Sequence, residues 1–361
     1  MPRHNSADAS RHPKVRATVD RAMDVWNQGE KVLIFCFYRE TGRTLRREIS
    51  AAMERKLYAR AATILNVDPA DRQAIAERIG RSSDNIFSVN SIPRRQLEEQ
   101  LVAMGRAASL NELEISAFTG AVIRFMRTTS FLVQHILPHG TGTRALFPAL
   151  EATDAHGRNF LFRLQSFVTR LSQLSESQRE NALDALNHIQ TGQYMTMESD
   201  EDEGDSHTTM ILPNVRLANG SVRQKTRNIL VSAFNMPFFP DILISSSVLS
   251  EGVDLHWECR TVIHHDLDWN PSSLEQRTGR LDRIGSMATA VGQPIDVFEP
   301  YTTGLQDEKM FKVVMDRAQW FNIVMGDSVE LNEQSIDGIA DRIQMPDSLK
   351  DQLSLNLAVA E

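Results

Sequence analysis

Six consecutive apolar residues, Val32 to Phe37, constrain the fold of this chain more than any other segment, because helical patterns flank them on both sides. One helical pattern runs from about residue 14 to residue 27 and closes at Gly29, and helix-favouring sequence resumes at Glu40. A continuous apolar run between helices is typical of a strand that is buried on both faces of a parallel sheet. We therefore predict such a strand here.

The same alternation of short strands and helices returns after residue 213. Strands are predicted at 215–218, 241–245, 261–264 and 295–298. Helices are predicted at 223–234, from 273 onward and at 306–325. Strands that alternate with helices indicate an α/β fold in which helices flank a parallel sheet.

Residues 57–211 interrupt this alternation with helical patterns and almost no strand signal. Apolar residues recur at helical spacing in two stretches, Ile115, Phe118, Val122 and Phe125, and Leu161, Leu164, Val168 and Leu171. We predict a large all-helical insertion that ends in a disordered acidic loop at 198–208. The predicted organisation is a disordered N-terminus at 1–12, an α/β lobe in two parts at 13–56 and 212–326, the insertion at 57–211, and a polar tail at 327–361.

Composition limits the possible partners and compartments. The formal net charge of −8 gives no global positive field, so any nucleic-acid contact must be a local patch. The two cysteines, Cys36 and Cys259, lie in or beside apolar segments, which favours buried thiols over a disulfide and a reducing compartment. No apolar run approaches the ~18 residues that span a bilayer, and the polar N-terminus has no signal-peptide core. We expect a cytoplasmic chain without a membrane partner.

Two neighbouring motifs carry the chemistry. The first is Ser-Glu-Gly-Val-Asp at 250–254, and the second is Gln-Arg-x-Gly-Arg-x-x-Arg at 276–283. Arginines at 277, 280 and 283 are spaced by three, so one helical turn can present them together. Converging guanidinium groups suit a polyphosphate, because their planar fork matches phosphate oxygens.

With these motifs the chain resembles the C-terminal RecA-like lobe of superfamily-two helicases, and within them the Swi/Snf-type and RapA-like translocases of double-stranded DNA. Residues 31–47 resemble the fourth motif of that family, and residues 220–235 carry its glycine, arginine and Phe-Asn pair. Residues 242–255 resemble motif V, and residues 266–285 resemble motif VI. The order and spacing of these segments make the resemblance specific.

The resemblance implies that Arg280 and Arg283 are catalytic arginine fingers, which stabilise charge on the transferring phosphoryl group. The alternative is that both form surface ion pairs, for example with Glu275 or Asp282. Arg277 is a weaker nucleotide contact, because that position varies in the family.

Three further residues are implied at the nucleotide. Gly252 would permit close approach of the backbone, and Asp254 would accept hydrogen bonds from the ribose hydroxyls of ATP. Gly252 could instead be a turn residue and Asp254 a helix cap. Gln276 belongs to the same site and is expected to bridge to another lobe rather than to touch ATP.

Five residues are candidates for contact with nucleic-acid phosphates. Ser246 occupies the position in motif V where a hydroxyl meets a phosphate, a contact that positions a strand without reading its sequence. Tyr38, Arg39, Gly220 and Arg223 are further candidates along the same track. The alternative for Ser246 is an ordinary turn at the end of a strand.

The chain departs from the family in its phosphate-binding and magnesium-binding motifs. The phosphate-binding pattern Gly-x-x-x-x-Gly-Lys-[Ser/Thr] does not occur, and the nearest segment, 140–144, lacks the lysine. The acidic run at 198–205 follows no apolar strand, so it does not resemble the magnesium-binding Walker B segment. We therefore expect ATP with Mg²⁺ to be shared with a Walker-bearing first RecA-like lobe, in cis or in trans, and expect no hydrolysis by this chain alone.

The adjacent His264 and His265 invite a metal-site reading. Adjacent residues of a strand point to opposite faces, so the two imidazoles cannot readily share one ion. No other histidine or cysteine cluster has the spacing of metal ligands. We expect no metal site there.

Two classes of function remain open at this point. In the first, the chain is the C-terminal half of an ATP-dependent helicase or translocase that tracks nucleic acid, by family likeness double-stranded DNA. In the second, it is a non-catalytic binding or regulatory module whose helical insertion docks a partner protein.

Overall fold

The computed structural model describes residues 12–187, 214–218, 224–246 and 253–325, with side chains placed as far as residue 316. Three predicted site residues, Gly220, Arg223 and Gly252, lie outside the described residues. The predicted acidic loop, the predicted C-terminal tail at 327–361 and all but residue 12 of the predicted N-terminus also lie outside them.

Five parallel strands form one sheet in the order β2-β3-β1-β4-β5. The strands are β1 Lys31–Phe35, β2 Val215–Ala218, β3 Ile242–Ser245, β4 Cys259–His264 and β5 Asp296–Phe298. β1 lies at the centre, where its Leu33 is in register with Leu243 and Val262. Both neighbours of β1 come from sequence beyond residue 213, so the predicted parallel sheet, assembled from two separated parts of the chain, is confirmed.

Alternate side chains of the central strand enter two different cores. Val32 and Ile34 belong to the larger core, whereas Leu33 and Phe35 belong to a smaller core on the opposite face of the sheet. All five residues of β1 are buried. A strand covered on both faces needs apolar residues at every position, which is why its sequence is a continuous apolar run.

Helices cover both faces of the sheet, as the alternating pattern predicts. In the α/β part these are α1 Pro13–Asn27, α2 Arg39–Leu65, α9 Gln224–Phe234, α10 Pro271–Thr278, α11 Met287–Val291 and α12 Gln306–Met325. The helix predicted at 306–325 has those bounds in the structure. Gly29 follows α1 with a φ of +81°, a left-handed conformation that glycine adopts without strain.

In the described part of the insertion the regular elements are helices, apart from one isolated bridge between Thr153 and Asn159. Its longer helices are α3 Arg72–Phe87, α4 Ile92–Ala107, α5 Glu112–Met126, α6 Leu146–Glu151, α7 Phe160–Gln173 and α8 Glu176–Asn187. Short 3-10 and π turns join α5 to α6. The fold class is therefore the predicted one, an α/β lobe with a large all-helical insertion.

The lobe and the insertion share a core. Helix α2 runs without interruption through the predicted boundary at 56/57 and ends at Leu65, where Asn66 adopts a left-handed conformation. The larger core combines sheet residues such as Ile34 and Ile244 with insertion residues such as Phe118 and Leu164. Removing the insertion would therefore expose the core of the lobe, and the boundary at 57 remains a prediction.

Candidate functional site

The carboxyl ends of β1 and β4 meet at one edge of the sheet. The backbone amide of Phe37 donates to Asp266 Oδ2 at 2.8 Å, and the amide of His265 donates to the carbonyl of Phe35 at 2.9 Å. Residues 36–38 and 264–266 thus form a connected ledge that joins the ends of two neighbouring strands. Carboxyl ends of parallel strands are the usual location of ligand sites in open α/β sheets.

Three of the predicted nucleic-acid contacts, Tyr38, Arg39 and Ser246, lie on this ledge or next to it. Tyr38 is 70% exposed and precedes α2, whose first residue, Arg39, is also exposed. Ser246 follows the neighbouring strand β3, is buried, and donates its backbone amide to the carbonyl of Ala218 at 3.1 Å. Tyr38 and Arg39 are open to a large ligand, whereas Ser246 has little surface to offer. All three assignments remain predictions.

Arg277 is the most buried of the three motif VI arginines. Its guanidinium lies over the rings of Phe35 and Phe37, with its central carbon 5.4 and 4.8 Å from the ring centres. One nitrogen is 3.5 Å from Asp268 Oδ2, and burial lowers the pKa of Arg277, an effect opposed by Asp268 and Asp266. These contacts fix Arg277 inside the lobe, and a direct contact with nucleotide remains a prediction.

Residues 253–258, named here the motif V segment, run beside residues 279–287, named the motif VI turn. The amide of Leu255 donates to the carbonyl of Arg280 at 3.1 Å, and the amide of Met287 donates to the carbonyl of His256 at 2.7 Å. Arg280 Nη1 lies 3.5 Å from the carbonyl of Val253. The two motifs therefore form one hydrogen-bonded unit.

Asp254 and Arg283 meet in this unit. Arg283 Nε lies 3.3 Å from Asp254 Oδ1, and the two side chains are 46% and 58% exposed. Sequence analysis gave Glu275 and Asp282 as examples of surface ion-pair partners for Arg283. In the structure Arg283 pairs with Asp254 instead. Gln276, near the end of α10, is exposed. The roles predicted for Arg280, Arg283, Asp254 and Gln276 are not decided by this geometry and remain predictions.

Asn235 holds the motif V segment from beneath, a role that sequence reasoning did not assign. Its side-chain amide donates to the carbonyl of Asp254 at 2.7 Å, and its Oδ1 accepts from the amide of Trp257 at 3.3 Å. The signal was present in the Phe-Asn pair at 234–235, which the family resemblance had marked. A single asparagine thus fixes the backbone at Asp254 and at Trp257, three residues further on.

His264 and His265 contact different helices, in agreement with the alternation of strand side chains. His264 Nε2 lies 3.1 Å from Thr278 Oγ1, and His265 Nδ1 lies 2.8 Å from Thr18 Oγ1. Burial lowers the pKa of His264 to about 3 and that of His265 to about 4. Across the part of the chain that the structure describes, no group of histidine, cysteine and carboxylate side chains is arranged to hold a metal ion.

The cysteines are buried and unpaired thiols. Burial raises the pKa of Cys36 to about 12, and it raises that of Cys259 to about 12 as well. Thiols that stay protonated are poor nucleophiles. Within the described ranges no helix has both the length and the apolar character that crossing a bilayer requires.

The comparisons with known proteins agree with the motifs. Residues 212–285 match the family model described as helicase conserved C-terminal domain. The ATP-dependent helicase YqhH of Bacillus subtilis is 29% identical over 104 residues, which are 29% of this chain and 16% of that protein. A B. subtilis protein named as an ATP-dependent helicase/translocase, YwqA, is 28% identical over 165 residues, which are 45% of this chain and 16% of that protein.

Further similarities are to a RapA protein and to one solved structure. The RNA polymerase-associated protein RapA of Vibrio vulnificus is 40% identical over 81 residues, 22% of this chain and 7% of that protein. Among solved structures, the C-terminal part of the Fun30 ATPase domain is 19% identical with a TM-score of 0.25, covering 39% of this chain and 38% of that one. The chain spans at most about one sixth of the length of these curated relatives. The predicted resemblance to Swi/Snf-like superfamily-two helicases is confirmed.

Proposed function

We propose that this chain, whose residues 212–285 match the helicase conserved C-terminal domain, is the second RecA-like lobe of an ATP-driven nucleic-acid translocase. A Walker-bearing first lobe, in the same polypeptide or in another one, would complete the ATP site with its Mg²⁺. By family likeness the track is double-stranded DNA. The observation that carries the proposal is the joining of motifs V and VI, in which Asp254 and Arg283 lie 3.3 Å apart beside Arg280.

The chemistry of this donor set fits a nucleoside triphosphate. Two arginines supply fixed positive charge for phosphate oxygens, and a carboxylate supplies an acceptor for ribose hydroxyls. The half-exposed side chains of Asp254 and Arg283 leave both groups open to a ligand at the surface of the lobe. Bound ATP would supply the phosphoryl group, and Arg280 and Arg283 would stabilise the charge that develops on it.

Closure of two lobes around ATP and reopening after hydrolysis would move the chain along a phosphate backbone. Tyr38 and Arg39, both exposed at the carboxyl ends of the sheet, would contribute to such a track. Contacts of this kind would hold the backbone without reading base sequence.

The test is ATP hydrolysis by this chain mixed with a candidate Walker-bearing lobe in the presence of duplex DNA. We expect negligible turnover by either part alone and turnover by the mixture. Arg280→Ala should lower kcat by about 10³-fold or more, the range measured for arginine fingers. Arg81→Ala, which removes a surface arginine of the insertion that is 74% exposed, is the matched control and should leave kcat unchanged. Turnover that is independent of Arg280 would overturn the proposal.

A further inference from the structure

Two arginines of the insertion reach the end of the motif V segment. Both lie on α7, and both bind the carboxylate of Glu258, the last residue before β4. Arg163 Nη2 lies 3.1 Å from Glu258 Oε2, and Arg170 Nη2 lies 2.8 Å from Oε1. The Glu258 side chain is only 4% exposed, so this contact is buried on the side of the lobe.

Glu258 is held as a carboxylate in this position. Burial raises its pKa, but the charges of Arg163 and Arg170, the hydrogen bond from Arg170 and the charge of Lys31 together outweigh burial, and the pKa lies below its usual value. A buried charge is stable only with partners of opposite charge, so the insertion supplies what Glu258 requires. The motif V segment is therefore anchored at this end by two residues of the insertion.

Arg170 also packs over Trp257, the residue before Glu258. Its guanidinium carbon lies 5.1 Å from the centre of the Trp257 ring, a cation–π contact. The Trp257 ring in turn faces Gly285 of the motif VI turn, where a Cβ would lie 3.7 Å from the ring. One insertion arginine thus holds the tryptophan that lies between the two motifs.

From Trp257 the contacts continue to the predicted nucleotide residues. The amide of Trp257 donates to Asn235 Oδ1, and Asn235 Nδ2 donates to the carbonyl of Asp254 at 2.7 Å. Asp254 then pairs with Arg283. A second contact from the insertion, Arg158 to the sulfur of Met287, reaches the end of the motif VI turn.

We propose that Arg170 is a positioning residue, which holds the motif V segment and the motif VI turn together from the insertion. Its effect on catalysis rests on the proposed function, because the residues that it positions are Asp254 and Arg283. The insertion is then a structural support of the candidate ATP site, in addition to any partner that it binds. Arg170 itself does not touch the nucleotide.

Hydrogen–deuterium exchange of the isolated chain tests the positioning directly. Arg170→Ala should speed exchange about tenfold in peptides that cover 253–258 and 279–287, since a charge-assisted hydrogen bond to a buried group is lost. The protected amides concerned are those of Leu255, Trp257 and Met287. Unchanged exchange in both peptides would overturn the proposal.

Arg179→Ala is the matched control. Arg179 is 31% exposed and binds Glu114, which is 4% exposed, whereas Arg170 is 21% exposed and binds Glu258. Arg179 also donates to the carbonyl of Ser172 at the end of α7 at 2.6 Å. All of these contacts lie within the insertion, so the loss of Arg179 should speed exchange in α5, in α8 and at the end of α7, but not at 279–287. If Arg179→Ala speeds exchange at 279–287 equally, Arg170 is merely one stabilising residue among others and the proposal fails. Should Arg170→Ala not fold, Arg170→Met, which keeps the side chain over Trp257, replaces it in the same comparison.

Hydrolysis by the reconstituted enzyme separates this proposal from the proposed function. Arg170→Ala should lower kcat about tenfold, because a misplaced arginine weakens binding of the transition state. It should raise KM by less than Asp254→Ala does, because Asp254 is displaced rather than removed. Arg170→Lys should keep part of the kcat that Arg170→Ala loses. Arg179→Ala should leave kcat unchanged. A change in exchange without any effect of Arg280→Ala on hydrolysis would sink the proposed function and leave the positioning intact. A loss of kcat in Arg280→Ala, without any effect of Arg170→Ala, would exclude the positioning role and leave the proposed function intact.

Discussion

Arg283 Nε lies 3.3 Å from Asp254 Oδ1, so the arginine predicted to act on phosphate pairs with the carboxylate predicted to bind ribose. Both side chains are about half exposed, and an ion pair of this kind contributes at most about 1 kcal/mol to stability. The pair can therefore separate at low cost when a ligand engages either group. The ion pair keeps the two side chains close together before a ligand binds.

Asp254→Ala is expected to raise the KM for ATP of the reconstituted enzyme about tenfold, because loss of a ribose acceptor costs about 1 to 1.5 kcal/mol. The melting temperature should barely change, since the pair is exposed. Glu275→Ala, which removes an exposed acid from α10, is the control and should leave KM unaltered. An equal KM in wild type and Asp254→Ala would exclude the ribose contact.

Glu258→Gln is expected to lower the free energy of unfolding by about 3 kcal/mol, because two guanidinium groups at a buried site lose their carboxylate. Urea denaturation measures this change. Glu54→Gln is the control, since its partner Arg72 is 57% exposed and the pair should contribute less than about 1 kcal/mol. Similar losses in the two variants would contradict the importance of the insertion contact.

Lys31 gives a prediction in alkaline solution. Its Nζ donates to the carbonyls of Phe234 and Phe238 at 3.0 and 2.6 Å, and burial lowers its pKa from 10.5 to about 8. Between pH 8 and 10.5 the unfolded chain binds more protons at this residue than the folded chain does, so stability contributed here rises with pH. Relative to Lys31→Met, the wild type should gain about 3 kcal/mol across that window.

Urea titrations at several pH values measure the Lys31 effect. The difference between wild type and Lys31→Met is the informative quantity, because the two buried cysteines titrate in both proteins and largely cancel. Parallel stability curves from pH 8 to 10.5 would show that the folded-state pKa of Lys31 is not lowered.

His264 gives a prediction in acid. Burial lowers its pKa to about 3, whereas the unfolded value is about 6.5. The unfolded chain therefore takes up a proton below pH 6.5 that the folded chain does not, and stability falls as pH falls, by about 1.4 kcal/mol per pH unit. In His264→Phe the slope of the unfolding free energy against pH, measured between pH 6 and pH 4, should decrease by about 1.4 kcal/mol per pH unit, which corresponds to one proton.

Thr278→Val is the control for His264. It removes the hydroxyl that lies 3.1 Å from His264 Nε2 but keeps the titrating imidazole, so the acid slope should be retained. If Thr278→Val flattens the slope as strongly as His264→Phe does, protonation of the histidine is not its cause.

Much of the architecture could be read from local sequence. The run at 32–37 predicted the central strand because a strand covered on both faces must be apolar at each position. Gly29 marked the end of the first helix, because glycine adopts the left-handed conformation there, with a φ of +81°, without strain. Motifs V and VI were recognisable because the residues of each motif lie within one short segment of the chain.

Local sequence was enough to predict the strands, the helices and the helicase-like motifs, since each depends on neighbours within a few residues. Three contacts became visible only in the folded chain. Arg277 lies over Phe35 and Phe37, Arg283 pairs with Asp254, and Arg170 pairs with Glu258, 88 residues away. Charge pairing at such separations depends on which surfaces the core brings together. Periodicity records whether a side chain is buried, but not which partner it meets there.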